Sequence, residues 1–259
     1  MRRTESKTGE LAGRRAVVTG SSSGIGRAIA LELAAAGADV LVTARRSRRE
    51  AFRTSRAIEA LGRAAPVVMA DLATVAGCRD LIAAAWRAFG RVDIWVNNAG
   101  ADILTGSGAR LDYERKLDRL WRVDALASMR LSRAVGERMA KLGEGTIINM
   151  GWDGARGGLA GESGELFAAV KGAVMSFSTS LALSLAPRVR VNCLAPGWIR
   201  TAWGRRAPAA WRRRVLRGTP LGRWGNPEDV AKLARFLASP AAGFLTGQVI
   251  AVNGGAVRF

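Results

Sequence analysis

The stretch Thr19-Gly20-Ser21-Ser22-Ser23-Gly24-Ile25-Gly26 joins a short β-branched run, Arg14 to Thr19, directly to an amphipathic run, Gly24 to Ala36. A strand that turns within a few residues into a helix, with glycine at three fixed places, confines the chain to folds assembled from strand–helix–strand units. Gly20 suits the tight turn, Gly24 a close approach of backbone to a pyrophosphate, and Gly26 close packing of helix on strand. The helix N-terminus then offers unpaired N–H groups to phosphate charge. Ser21, Ser22 and Ser23 add hydroxyl donors.

The rest of the chain repeats this alternation. Further strands are expected near Asp39 to Thr43, Ala65 to Ala70, Val92 to Asn97, Gly145 to Met150, Val189 to Leu194 and Gln248 to Val252. Helices are expected near Arg48 to Leu61, Val75 to Phe89, Leu117 to Lys141, Leu166 to Ala186 and Pro227 to Ala238, the last with Asn226 as N-cap and Pro227 in the first turn. Such alternation implies one α/β domain over residues 1–259, with a mostly parallel seven-stranded sheet flanked by helices. No internal repeat or low-complexity linker divides it. Between Trp198 and Asn226 the alternation gives way to arginine, tryptophan and proline, the composition of a lid over the carboxyl edge of the sheet.

Composition removes several classes of function. Charged or small polar residues interrupt every apolar run before about 18 residues, so a soluble chain without a membrane span is expected. Met1 to Lys7 lack the apolar segment of a secretory signal, which points to the cytoplasm. Cys78 and Cys193 are far apart and the chain has no histidine, so no metal site is expected. The net charge is +19, but its arginines are scattered through every segment without the aromatic and basic ribbon of a single-strand binder, so nucleic acid is not the expected partner. The densest cluster, Arg205, Arg206, Arg212, Arg213, Arg214 and Arg217 with Trp203 and Trp211, lies in the lid segment.

Several landmarks follow the glycine turn in order: Asp71-Leu72, Asn97-Asn98-Ala99-Gly100, Lys171, Pro196-Gly197-Trp198-Ile199-Arg200-Thr201 and Asn253-Gly254-Gly255. Together they make the chain, from about Leu11 to Phe259, resemble the short-chain dehydrogenase/reductase family, whose single domain is a Rossmann-like doubly wound α/β fold. The resemblance implies a nicotinamide dinucleotide held by Gly20, Ser22, Ser23, Gly24, Ile25 and Gly26, with Asp71 and Leu72 beside the adenine. It places Asn98, Ala99 and Gly100 along the cofactor, Lys171 on the ribose, and Pro196, Gly197, Ile199 and Thr201 at the nicotinamide. The second strand ends Thr43-Ala44-Arg45-Arg46, with no ribose-binding carboxylate and two guanidinium groups ready for a 2′-phosphate. NADP(H) is therefore favoured, with NAD(H) as the alternative because Ser23 is not basic.

The same resemblance exposes what the chain lacks. The family uses a tyrosine four residues before the lysine, a serine and an asparagine. Here Phe167 holds the tyrosine place, Trp152 falls on the serine place and Asp124 on the asparagine place. Counting back from the lysine puts Gly154 rather than Trp152 at the serine place, and neither carries a hydroxyl. The one tyrosine, Tyr113, is expected in a polar connection far from the Lys171 helix. Loss of a general acid costs roughly a hundredfold to ten-thousandfold in rate. Substitute acids are available in Glu162, first, and Asp153, second, in the segment before the Lys171 helix, although each reads more readily as a solvated loop charge or a helix N-terminal residue. Glu165 reads as a first-turn stabiliser. Lys171 is itself a candidate donor, and Asp124 could pair with it in a partly buried ion pair or face solvent. The implied activity is an oxidoreductase acting on a small organic substrate through a non-standard active site. The alternative is an inactive relative serving as a nucleotide-binding or partner subunit. Family habit also implies a homodimer or homotetramer through the helices near Leu117 to Lys141 and Leu166 to Ala186.

Overall fold

The fold was described from a computed structural model, over residues 9–202, 204 and 207–258. Met1 to Lys7, Phe259, and Trp203, Arg205 and Arg206 of the basic cluster lie outside the described residues. The strands are β1 (Arg15–Val18), β2 (Asp39–Ala44), β3 (Val67–Met69), β4 (Ile94–Asn97), β5 (Gly145–Met150), β6 (Val189–Pro196) and β7 (Val249–Val252). They form one seven-stranded sheet in the order β3-β2-β1-β4-β5-β6-β7. Every neighbouring pair is parallel, where the sequence had suggested only a mostly parallel sheet. The chain steps outward from β1 to β3 and returns to β4 beside β1, so the sheet reverses its winding between those two strands and opens a crevice at their carboxyl ends.

Parallel strands covered on both faces must be apolar on both, and these are. Val17 and its neighbours Ala16 and Val18 point to opposite faces, and all three are fully buried. One face packs on α1 (Gly24–Ala35) and α10 (Pro227–Ala238) through Ile29, Leu33, Val230 and Ala234; the other packs on α3 (Val75–Phe89), α6 (Ala127–Leu142) and α8 (Glu162–Leu185) through Leu81, Leu131, Val135 and Leu185. Each such side chain contributes about 1.5–3 kcal/mol when fully buried.

Three elements differ from the sequence expectation. The helix expected from Leu117 begins at Tyr113, because Asp112 caps it by accepting from the Arg115 N–H at 2.8 Å. It runs as α5 (Tyr113–Leu120), a π-helical turn (Trp121–Leu126) and α6. Tyr113 therefore heads a helix that packs against α8 and is not remote from it, though its ring is exposed. The Lys171 helix starts at Glu162 rather than Leu166, after Gly161 at φ 97°, so Glu162 and Ser163 are helical and Glu162 joins Glu165 in the first turn. The charged first turn has no apolar periodicity to announce it. Between β5 and α8 lies a short helix, α7 (Gly154–Gly157), and the lid segment holds α9 (Ala209–Gly218), tied back by a bridge between Ile199 and Gly225. The remaining helices are α2 (Arg48–Glu59) and α4 (Gly106–Ala109).

Helix α8 is 24 residues long, with a mean hydropathy of 1.5 over its most apolar window, enough by length and composition to cross a membrane. Its contacts are those of a core helix instead: it packs on β5, β6 and α6, and a buried chain of polar side chains fixes it to the sheet. Trp95 Nε1 donates to Asn97 Oδ1, Asn97 Nδ2 donates to both Ser132 Oγ and Asn149 Oδ1, and Asn149 Nδ2 donates to Ser178 Oγ, all at 2.8–2.9 Å. Ser178 lies two helical turns from Lys171, so this network sets where that lysine enters the crevice.

Candidate nucleotide and substrate site

The glycine turn after β1 is built by its neighbours. A side chain on Gly20, at φ +65°, would come within 2.9 Å of the Ala99 backbone, and one on Gly26 would collide with Asn98 Nδ2 and the Gly20 carbonyl. Asn98 holds the turn by donating from Nδ2 to the Thr19 carbonyl at 3.0 Å, while Thr19 Oγ1 accepts from the Asn98 and Ala99 N–H groups. Ser21 is corrected here: its fully buried hydroxyl donates to the Val18 carbonyl at 2.8 Å and accepts from the Thr43 N–H, so it serves the sheet and not a ligand. Ser22 and the exposed Ser23 remain accessible. Ser23 is the N-cap of α1 without a side-chain cap bond, so the helix N-terminus keeps its donors for an anion. A Cβ on Gly24 would meet only Thr201, at 3.7 Å, which leaves a cradle between the helix and the segment after β6.

The other expected cofactor residues line up along the same carboxyl edge. Arg45 and Arg46 are exposed after β2, Asp71 and Leu72 follow β3, Asn98, Ala99 and Gly100 follow β4, and Pro196, Gly197, Ile199 and Thr201 follow β6. The arrangement fits a dinucleotide laid across the strand ends, with its pyrophosphate at α1.

Beside the cradle opens a cavity of about 800 Å³, lined near the turn by Ile25, Asn98, Lys171, Ile199 and Thr201, and farther out by aromatic and aliphatic side chains. Phe167 and Trp152 meet edge to face with ring centres 6.3 Å apart, Trp152 meets Trp198 at 6.5 Å, and Trp198 meets Trp211 at 5.2 Å. Of the two residues considered for the serine place, Trp152 lines the cavity against Phe167, and Gly154 lies beneath the indole, where any side chain would strike the ring.

Lys171 Nζ lies 2.9 Å from Asp124 Oδ1 and donates to the Met150 carbonyl at 3.1 Å. Asp124, on the π-helical turn and 2% exposed, accepts from the Ala101 N–H at 2.8 Å with its second oxygen. Of the three ammonium donors, one is left for a ligand.

The two expected acids part company. Glu162 lines the cavity and pairs with Lys116 at 2.7 Å. Asp153 does not line it: the carboxylate turns away and accepts from Asn253 Nδ2 at 3.1 Å, tying the segment after β5 to the one after β7. Its burial pushes the carboxyl above the usual aspartate range. The thiols offer no nucleophile, since burial pushes Cys193 up to about 12 and raises Cys78 as well. Among the described residues no group of histidine, cysteine or carboxylate side chains could hold a metal ion.

Lys116 is the cavity-lining charge that the sequence reading did not single out. It sits in a highly charged stretch that resembles a solvated connection, yet it shares a helix face with the buried Leu120 four residues on, and that spacing was the available signal.

A doubly wound parallel sheet with a glycine turn at its crossover, a lysine helix alongside and an apolar cavity between them defines a dinucleotide-binding oxidoreductase fold. A family model described as Enoyl-(Acyl carrier protein) reductase matches residues 20–257. An uncharacterized oxidoreductase of Methylorubrum extorquens is 37% identical over 95% of this chain and 98% of its own length. The 3-oxoacyl-[acyl-carrier-protein] reductase of Escherichia coli is 38% identical over 94% of this chain and 97% of its own. Among solved structures, a short-chain dehydrogenase from Burkholderia cenocepacia in complex with NADP superposes with a TM-score of 0.85 at 36% identity, covering 95% of this chain and 99% of that one. A 7α-hydroxysteroid dehydrogenase complexed with NADH superposes at 0.87 and 31% identity, with 96% of each chain covered. The chain belongs to the short-chain dehydrogenase/reductase family.

Proposed function

We propose that this chain is an NADP(H)-dependent oxidoreductase that transfers hydride to or from a small organic substrate through an active site rebuilt without the family's tyrosine and serine. The observation that carries the reading is the single cavity in which the phosphate cradle, Lys171 and an aromatic wall meet. The cofactor would supply the hydride. Lys171, neutralised from behind by Asp124, would hold the ribose hydroxyls; Phe167, Trp152 and Trp198 would exclude water from the reacting face. With no hydroxyl at 152 or 167, the substrates that fit best are those whose protonation can come from water, such as an imine or an activated alkene, rather than a simple ketone. Of the two expected acids only Glu162 remains a candidate for proton handling, because Asp153 faces away. Arg45 and Arg46 support NADP(H) over NAD(H), since β2 ends at Ala44 and is followed by these two arginines with no carboxylate to repel a 2′-phosphate.

Calorimetric titration with NADPH and NADH, followed by absorbance at the reduced-nicotinamide band across ketones, imines and enones, tests the reading. Binding of NADPH with turnover of imines or enones supports it. Binding without turnover of any class would establish instead a nucleotide-binding relative without catalysis, the reading favoured by the missing hydroxyls alone. Arg45→Ala with Arg46→Ala should cost NADPH about tenfold or more in affinity and leave NADH nearly unchanged.

A further inference from the structure

We infer, on the footing of the oxidoreductase reading above, that the outer half of the cavity is a subsite for the anionic group of a ring-bearing organic acid. Its apolar body would lie against Trp152, Phe167, Trp198 and Trp211, and its charge would be taken by Lys116.

The Lys116–Glu162 pair is lopsided. The Lys116 side chain is 12% exposed and set in the cavity wall, whereas Glu162 is 43% exposed at the rim. A carboxylate in that position can swing into water at small desolvation cost, but the ammonium has nowhere else to go. An incoming anion can thus displace Glu162 and inherit its partner. Among the described residues Glu162 is also the only acid lining the cavity, against two lysines, Lys116 and Lys171. The second of these is already neutralised by Asp124. Once Glu162 swings out, the wall presents one uncompensated cation beside aromatic rings.

The approach to the cavity carries the same sign. Helix α9 reads Ala209-Ala-Trp-Arg-Arg-Arg-Val-Leu-Arg-Gly218, with Arg212, Arg213, Arg214 and Arg217 exposed and no acidic residue. Arg214 lies over the Trp211 ring at 5.2 Å, and Trp211 lines the cavity. Such a helix raises the local concentration of anions at the entrance. The aromatic wall, in turn, disfavours a small hydrophilic anion: most of the cavity surface has no polar partner to offer, so the ligand must bring apolar area to gain from entering.

The test uses two probes of equal shape, 2-naphthoate and the neutral 2-naphthalenemethanol, titrated calorimetrically into the full chain with and without NADPH. Naphthoate should bind about tenfold or more tightly, as expected of a charge-assisted bond in a partly buried site. That preference should shrink on raising salt. Lys116→Met should erase the preference. Glu162→Gln separates the inference from a purely structural tether between α5 and α8: removal of the competing carboxylate should tighten naphthoate, whereas loss of a tether would weaken it or leave it alone. Equal affinity for the two probes, a preference that survives Lys116→Met, or weaker or unchanged naphthoate binding in Glu162→Gln each overturns the inference. Failure to bind NADPH would instead count against the oxidoreductase reading, since the naphthoate titrations stand without it.

Discussion

Lys171 brings a positive charge to a wall that is mostly aromatic and aliphatic, and Asp124 makes that tenable by facing it at 2.9 Å while its other oxygen accepts from Ala101. Removing one member of a buried pair leaves the other uncompensated, which costs more than the pair contributes. Asp124→Ala should therefore lower unfolding free energy by about 3–5 kcal/mol in denaturant titration. It should also weaken NADPH, because the ammonium is no longer held. An unchanged nucleotide affinity would argue that Lys171 is positioned by Met150 and the helix alone. Asp153 gives a second expectation at this scale. Its folded pKa is raised by burial above the ordinary 3.8, so the folded chain binds that proton more readily than the unfolded one. Its contribution favours folding below 3.8 and is lost as pH climbs through the raised folded value. Asp153→Asn should therefore gain stability relative to the parent as pH rises from about 4 toward neutrality, measured by denaturant midpoints across pH.

At the scale of elements, the turn between β1 and α1 leaves no volume to spare. Gly26→Ala drives a methyl into Asn98 Nδ2 and the Gly20 carbonyl. A loss of about 1–3 kcal/mol is expected from such overpacking, and NADPH affinity should fall with it because Asn98 shapes the cradle. Denaturant unfolding and calorimetry read the two effects separately. This turn, the strands and most helices were legible in the sequence because their apolar periods are strong and glycine has few reasons to recur at that spacing. What was not legible came from charged helical turns and from side-chain direction. The first turns of α5 and α8 read as loops, which hid Lys116 and moved Glu162 onto a helix. For Asp153 the sequence leaves both an inward and a solvated placement open, because periodicity cannot tell which way a residue just past a strand end will face, and Asn253, 100 residues away, decides it.

For the whole molecule, +19 spread over a single domain means that like charges oppose compaction everywhere and are relieved only locally. One such place is the amino-terminal edge of the sheet, where Arg14 and Arg91 converge on Asp93 and Glu144, with Arg14 at 2.5 Å from Glu144, and hold Glu144 below the usual carboxylate range. Among the described residues most other arginines are exposed. Thermal midpoints should therefore rise as salt increases from about 0.01 M to 0.15 M, where the Debye length contracts from roughly 30 to 8 Å and distant repulsions fade before the close pairs do. A midpoint that falls over this range would mean the ion pairs outweigh the net repulsion.

The indole of Trp152 covers the bare α-carbon of Gly154 so closely that a substitution at 154 is felt at 152. Exchanging the tryptophan alone for serine uncovers Gly154 and widens the cavity, and because the indole is only half-buried the loss should stay below the roughly 3–5 kcal/mol of a fully buried aromatic. Filling position 154 first drives a side chain into the ring. A side chain at 154 therefore requires the indole to move or to be replaced. A laboratory attempt to return an ordinary hydroxyl to this pocket should begin with that couple, and not with Phe167.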